Sequence, residues 1–357
     1  MTASYAYLYR YSLPFNEPVT VRGRRLLQRD GVLLALKTGD GKHTAWGEIA
    51  PLSGLHRETT ESAERQIVET LAMHGESGAA LMTEGLFPSV RMGLEMAVMN
   101  LEASISGRHP FSVPGESMLP RVPLNALLMG STDVVLLRAQ ASYQEGYRAF
   151  KLKVGKENAE EAAAAVHALH RLFGSQVELR LDANQSMPLD DAIAFARELP
   201  KNSVTYIEEP LLQPRDIPEY HAKTGIRSAL DETLWQKPGL LGALPPETIG
   251  ALVLKPNCLG GVAAVLNLVR YAADHNMQAV FSSAFESSIS LGFYAILAAA
   301  TSVRPAACGL DTFRHLKEDI QTTAFHAEGG SLDAASLYLD TREVRTTNLS
   351  LASVWTL

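Results

Sequence analysis

The chain has 357 residues, 46% of them apolar, which is enough for a sizeable core and more than one ordinary compact domain requires, so a barrel with a smaller companion unit is expected. Thirty-two lysines and arginines stand against 39 aspartates and glutamates, a net charge of −7, which excludes a basic nucleic-acid surface or a cationic membrane face and leaves a small-molecule partner. With only Cys258 and Cys308 there is no disulfide framework, and a reducing, cytoplasmic setting is expected.

In chain order, Met1 to Phe15 alternates aromatic and polar residues, which reads as a first strand and lacks the charged-then-apolar layout of a secretion signal. Strand Tyr5 to Tyr11 is followed by Val32 to Lys37 and Thr44 to Ile49, the last two joined by a turn at Asp40-Gly41. Apolar residues then recur at helical spacing over Glu58 to His74 and Ser89 to Ser104, which makes an α+β unit of the first third. The Gly- and Pro-bearing stretch Gly107 to Pro120 predicts a domain boundary, placed at 117/118.

Beyond it, short apolar strands alternate with helical segments: Val122 to Leu128, Ala149 to Val154, Glu178 to Asn184, Val204 to Glu209, Arg227 to Asp231, Ala251 to Pro256, Ala279 to Ser283 and Ala307 to Asp311. Eight such strands predict a closed parallel barrel over 118–328. The segment 329–357 lacks the βα pattern and is expected to return to the N-terminal unit 1–117. The longest apolar stretch, Leu291 to Ala300, is well short of the roughly 20 residues of a membrane span.

Five of these strands end in a charged residue that a buried strand has no structural reason to carry: Lys153, Asp182, Glu208, Asp231 and Lys255. They fall about one βα repeat apart, so each stands at the same height, and in such barrels the C-terminal strand ends form the mouth where active sites lie. Strand alternation turns Lys151, Lys153, Arg180, Asp182, Asn184, Asp231 and Lys255 inward while their apolar neighbours face the helices. Glu208 and Glu209 cannot both point in, and parity leaves that choice open.

Three carboxylates in one mouth repel each other unless a cation lies between them, and an all-oxygen set with room for substrate favours magnesium, with manganese as the second choice. No HExxH or His/Cys cluster competes for that role. Two inward lysine groups beside such a cation imply proton abstraction next to a carboxylate. A lysine base needs a pKa well below about 10.4, and a neighbouring ammonium such as that of Lys151 beside Lys153 works in that direction.

Lys151-Leu-Lys153, Asp182-Ala-Asn184, Glu208-Glu-Pro210, Asp231-Glu232 and Lys255-Pro256, in this order and spacing, resemble the KxK, DxN, EEP or EQP, DE and KP signatures of the muconate-cycloisomerase-like branch of the enolase superfamily. Trp46-Gly-Glu-Ile-Ala-Pro51 before Leu52-Ser-Gly-Leu-His56 is similar to that family's capping-domain loop. The resemblance implies a TIM-like (β/α)7β barrel with an N-terminal α+β capping domain. It also implies Asp182, Glu208 and Asp231 as metal ligands, Lys153 as acid/base, Lys151 as its tuner and Lys255 as the stabiliser of the enolate.

Leu179-Arg-Leu-Asp182, the stretch Phe281-Ser-Ser-Ala-Phe-Glu-Ser287 and Gly309-Leu-Asp311 resemble the o-succinylbenzoate synthases of that branch, which dehydrate a cyclohexadiene carboxylate in menaquinone synthesis. N-acylamino-acid racemases, dipeptide epimerases and muconate cycloisomerases share the same parts, and a barrel retained only as a binding module is the rival of another class. Ser282 and Ser283 are supporting candidates for substrate contact. Arg180 is either a substrate contact or an internal ion-pair partner, and Asn184 either a site residue or a turn former.

Overall fold

In the computed structural model, residues 3–77, 81–112, 118–301 and 306–357 are described; the boundary expected at 117/118 falls at the edge of a stretch outside them. Strands β1 (Ala3–Val21) and β2 (Arg24–Thr38) form a long hairpin turned at Arg22-Gly23, both at positive φ (45° and 78°), the conformation that a two-residue hairpin turn demands. β3 (Thr44–Ile49) adds to β2, and the helices Thr60–Ser77 and Pro88–Ser106 cover one face of this sheet. Alternation drives the packing: Ala6, Leu8, Val32, Leu34 and Leu36 face Ile67, Leu71, Val90 and Leu94, whereas Leu33, Ala35 and Trp46 on the opposite face join the core shared with the barrel. Gly47 permits the close approach, because a Cβ there would lie 1.9 Å from the Gly93 carbonyl oxygen.

The barrel begins after a short strand, β4 (Arg121–Pro123), and runs through β5 (Asn125–Leu128), β6 (Ala149–Lys153), β7 (Glu178–Asp182), β8 (Tyr206–Glu208), β9 (Ser228–Leu230), β10 (Ile249–Leu254) and β11 (Gln278–Phe281), seven parallel neighbours in chain order. The gap between β11 and β5 is closed by Cys308-Gly309. Asn125 donates its N–H to the Cys308 carbonyl (3.0 Å), and Gly309 donates its own to that of Phe281 (2.7 Å). The eighth stave is thus shorter than the expected Ala307 to Asp311, since Asp311 already opens a 3₁₀ turn. The first is also shorter: β4 leaves the barrel to pair antiparallel with β12 (Ser331–Asp333), and the Leu124 N–H is taken by the Gly330 carbonyl.

Inside the barrel Tyr206, Ala229, Ala251, Val253 and Val280 make a small apolar floor. On the outer face Phe150, Leu152, Leu179, Leu181, Ile207, Leu230, Leu252 and Leu254 pack on helices such as Ala159–Phe173 and Val262–Asp274, which is the parity the alternation predicts. The segment 329–357 contributes β12, the helix Ala334–Asp340 and β13 (Ser350–Thr356); β13 pairs antiparallel with β1, giving the cap sheet the order β13-β1-β2-β3. Among the described residues no helix is long and apolar enough to cross a membrane.

The cap is fastened to the barrel by buried polar groups. Glu48, on β3, accepts from the Ser287 N–H (3.0 Å), the Ser287 hydroxyl (2.9 Å) and the Ser290 N–H (3.2 Å) at the start of the helix Ser288–Thr301, and from the Tyr11 hydroxyl. Glu95 accepts from the Val262 N–H (2.6 Å) at the start of another barrel helix. Asn257 donates to the Ala50 carbonyl (2.7 Å), so Pro51 to His56 sits against the turn that follows Lys255. Trp46 to Ile49 belongs to β3, so only the second part of the expected loop is one.

Candidate active site at the barrel mouth

Register places the charged residues level with one another: Lys153 is paired with Asp182 and Asp182 with Glu208 across β6, β7 and β8. Asp182, Glu208 and Asp231 are at most 1% exposed, so their charges must be answered from within the protein. Lys151 Nζ lies 2.8 Å from both Asp182 and Glu208, and Lys153 Nζ donates to Asp182 Oδ2 at 2.6 Å and to Asn184 Oδ1 at 2.7 Å. Across the barrel Lys255, just past β10, is ion-paired with Asp231. The structure therefore brings together Lys151, Lys153, Lys255, Asp182, Glu208, Asp231 and Asn184.

Their electrostatics are strained. Burial together with Asp182 pushes Glu208 up to about 8, Lys151 pulling the other way; burial, aided by Glu232, pushes Asp231 up to about 6 against the attraction of Lys255. Asp182 is held well below the usual carboxylate range, because Lys151 and Lys153 outweigh its burial. Burial disfavours the ammonium of Lys255, yet Asp231 and Glu232 outweigh it and keep that amine protonated. Among the described residues no three carboxylate, histidine or cysteine groups already converge on one point, because lysine amines stand between them. The donor set nonetheless fits a hard divalent cation: it is all oxygen, burial raises the carboxyls of Glu208 and Asp231 above their ordinary range, a shift that a cation between them would oppose, and buried Asp231 Oδ1 has no hydrogen-bond partner.

The backbone settles the choice between the paired glutamates. Glu209 has φ +43°, which turns its side chain away from the mouth, where it accepts from the N–H groups of Asp231 (2.9 Å) and Thr233 (2.7 Å), the Thr233 hydroxyl (2.8 Å) and Gln185 (3.0 Å). It holds the turn that carries Asp231. Glu232 accepts from Asn184 Nδ2 (3.3 Å) and pairs with Arg22 (3.2 Å) from the tip of the β1–β2 hairpin, so a chain of contacts runs Arg22, Glu232, Asn184, Lys153.

Arg180 requires a correction as a substrate-contact candidate. It points inward as parity requires, but its guanidinium reaches the far end of the barrel, where it pairs with Glu178 (3.0 Å) and donates to the Ala307 carbonyl (2.6 Å) and Gln278, all at strand starts. It is an internal tie. Ser282 and Ser283 do border the mouth cavity of about 470 Å³, together with the three lysines; Ser283 is hydrogen-bonded to Thr312 (2.7 Å). The cavity continues past Phe285 to Arg138, Arg314 and His315. Arg22, Glu48 and Arg138 lie outside the strand-end pattern, so spacing and parity do not point to them.

Residues 135–337 match the family described as Enolase C-terminal domain-like, and residues 3–101 match that described as MenC, N-terminal domain. The chain is similar to the o-succinylbenzoate synthase of Aliivibrio salmonicida, 32% identical over 326 residues that span 90% of this chain and 94% of the relative. Among solved structures it is similar to a probable mandelate racemase from Alicyclobacillus acidocaldarius (TM-score 0.84, 22% identity, 100% of this chain and 98% of the other). It is also similar to a dipeptide epimerase from Methylococcus capsulatus complexed with Mg and the dipeptide L-Arg-D-Lys (TM-score 0.74, 21% identity, 93% and 96%).

Proposed function

The chain belongs to the enolase superfamily and is most like its o-succinylbenzoate synthases, and from that premise we propose that Lys153 and Lys255 work on opposite sides of one bound substrate. The activity is that of a hydro-lyase of menaquinone biosynthesis, removing water from 2-succinyl-6-hydroxy-2,4-cyclohexadiene-1-carboxylate to give o-succinylbenzoate.

Lys153 Nζ, on β6, takes the proton α to the ring carboxylate. Lys255, cationic beside Asp231, stabilises the negative charge that moves onto that carboxylate from the opposite side. The proton held by Lys153 then goes to the departing hydroxyl, the C–O bond breaks, water leaves and the ring becomes aromatic. A single amine serving both transfers removes hydrogen and hydroxyl from one ring face, a syn elimination. Lys151 holds Asp182 and Glu208 in place and adds positive charge beside Lys153.

Asp182, Glu208 and Asp231 are the residues that would hold magnesium, the metal named with the Methylococcus capsulatus epimerase; manganese is the second choice on the same ligand chemistry. When bound, it supplies a fixed double charge that makes the ring carboxylate a better electron sink. We divide the chain into a cap, 1–117 with 329–357, and a barrel, 118–328, and assign it to the cytoplasm, which two free, buried cysteines support.

The observation that carries this reading is the pair of amines facing each other across three buried carboxylates. A spectrophotometric assay on the cyclohexadiene substrate should show turnover with magnesium, none with EDTA, and recovery on adding magnesium back. Lys153→Ala and Lys255→Ala should each lower kcat by at least about 1,000-fold while retaining magnesium affinity, since neither lysine is a ligand. Wild-type-like turnover in either variant would remove that residue from the mechanism.

A further inference from the structure

The substrate carries two carboxylates, and the mechanism uses one. The second ends the succinyl arm, and the cavity that begins at the lysines is long enough to continue to Arg138, Arg314 and His315. Resting on the dehydratase reading, we propose that Arg138 anchors this distal carboxylate and thereby selects substrates that carry it.

The choice among the cationic groups lining the cavity follows from their partners. Lys151, Lys153 and Lys255 are each paired with a carboxylate of the mouth. Arg314 is paired with Asp311 and Glu145, both at 3.0 Å. His315 is packed edge-on against Phe285, and burial, with the charge of Arg138 adding to it, disfavours its charged form. Arg138 differs from all of these: among the described residues no carboxylate pairs with it, and its guanidinium donates to the Met129 carbonyl at 3.3 Å.

That contact also fixes its height. Met129 directly follows β5, and continuing the register in which Leu127 and Leu128 pair with Lys151 and Leu152 sets it level with Lys153. The guanidinium therefore stands on the rim beside the strand that carries the proposed base. Its remaining N–H donors form a planar fork suited to a carboxylate. The neighbouring turn that carries Arg314 is held in place by the cap, because Asn16 donates to the Arg314 carbonyl (2.9 Å) and the Lys317 N–H to that of Pro14.

The test uses the full chain loaded with magnesium, titrated calorimetrically with o-succinylbenzoate and with 2-butanoylbenzoate, in which a methyl group replaces the distal carboxylate. The wild type should prefer the first by about tenfold or more. Arg138→Met should abolish the preference and raise KM for dehydration by about tenfold, with most of the loss in KM and not in kcat. Arg138→Lys should recover part of the preference through its charge. A methionine variant that keeps the wild-type preference would overturn the proposal alone, whereas a wild type that neither dehydrates the substrate nor binds either ligand would overturn the dehydratase reading and the anchor together.

Discussion

Asn184 shows how a small polar group can govern a large one. Its side chain is held between Glu232 and Lys153, accepting from the amine at 2.7 Å, and its backbone has φ +45°, which asparagine and glycine tolerate better than other residues. Asn184→Gly therefore removes the contact without straining the turn. It should lower kcat roughly 10- to 100-fold by leaving Lys153 unaimed, while magnesium affinity stays near that of the wild type; unchanged kcat in steady-state assays would exclude a positioning role. At this scale the sequence was legible where parity and height coincide, as at Lys153, Asp182, Asp231 and Lys255. Arg180 obeys the same parity, but its long side chain runs the other way down the barrel, a direction that alternation does not encode. Nor does a motif reveal that Asp311, which lines the cavity, is already tied to Arg314.

Elements are joined through groups far apart in sequence, and Glu48 is the sharpest case. The carboxylate sits on a cap strand, 1% exposed, yet it satisfies N–H groups at the start of a barrel helix 239 residues further on. Glu48→Ala leaves those donors and the Tyr11 hydroxyl buried without an acceptor and should cost about 2–4 kcal/mol in denaturant unfolding. Glu48→Gln, which retains an acceptor oxygen, should cost less; equal stability of the alanine variant and the wild type would show that the contact is dispensable. The barrel strands were readable because each is a local apolar run, and their helices because of their periodicity. The split of the first strand into β4 and β5 was not, since it follows from pairing with β12, about 200 residues away, and no local pattern announces a distant partner.

For the molecule as a whole, buried carboxylates shape the dependence of stability on pH. Asp319, whose pKa burial pushes up to about 6, accepts from the Ser288 hydroxyl (2.8 Å) and from the Ser288 and Ile320 N–H groups, at the same helix start that Glu48 serves. Because the folded chain holds this proton more tightly than the unfolded one, the associated stability is complete below about pH 4 and lost as pH rises past about 6. Asp319→Asn lacks that slope, so its Tm relative to the wild type should rise between about pH 4 and about pH 7. A Tm difference that is flat with pH would show that Asp319 ionises freely in the fold.

The cap sheet takes β1, β2 and β3 from one part of the chain and its fourth strand, β13, from another, with the entire barrel spliced between them. Such an insertion works like a clasp: opening the barrel drags one leaf of the sheet away from the other, and freeing that leaf loosens the cap that overlies the mouth. Melting should accordingly be shared between the two halves, and with it the contact that the hairpin tip makes through Arg22 with Glu232 at the barrel mouth.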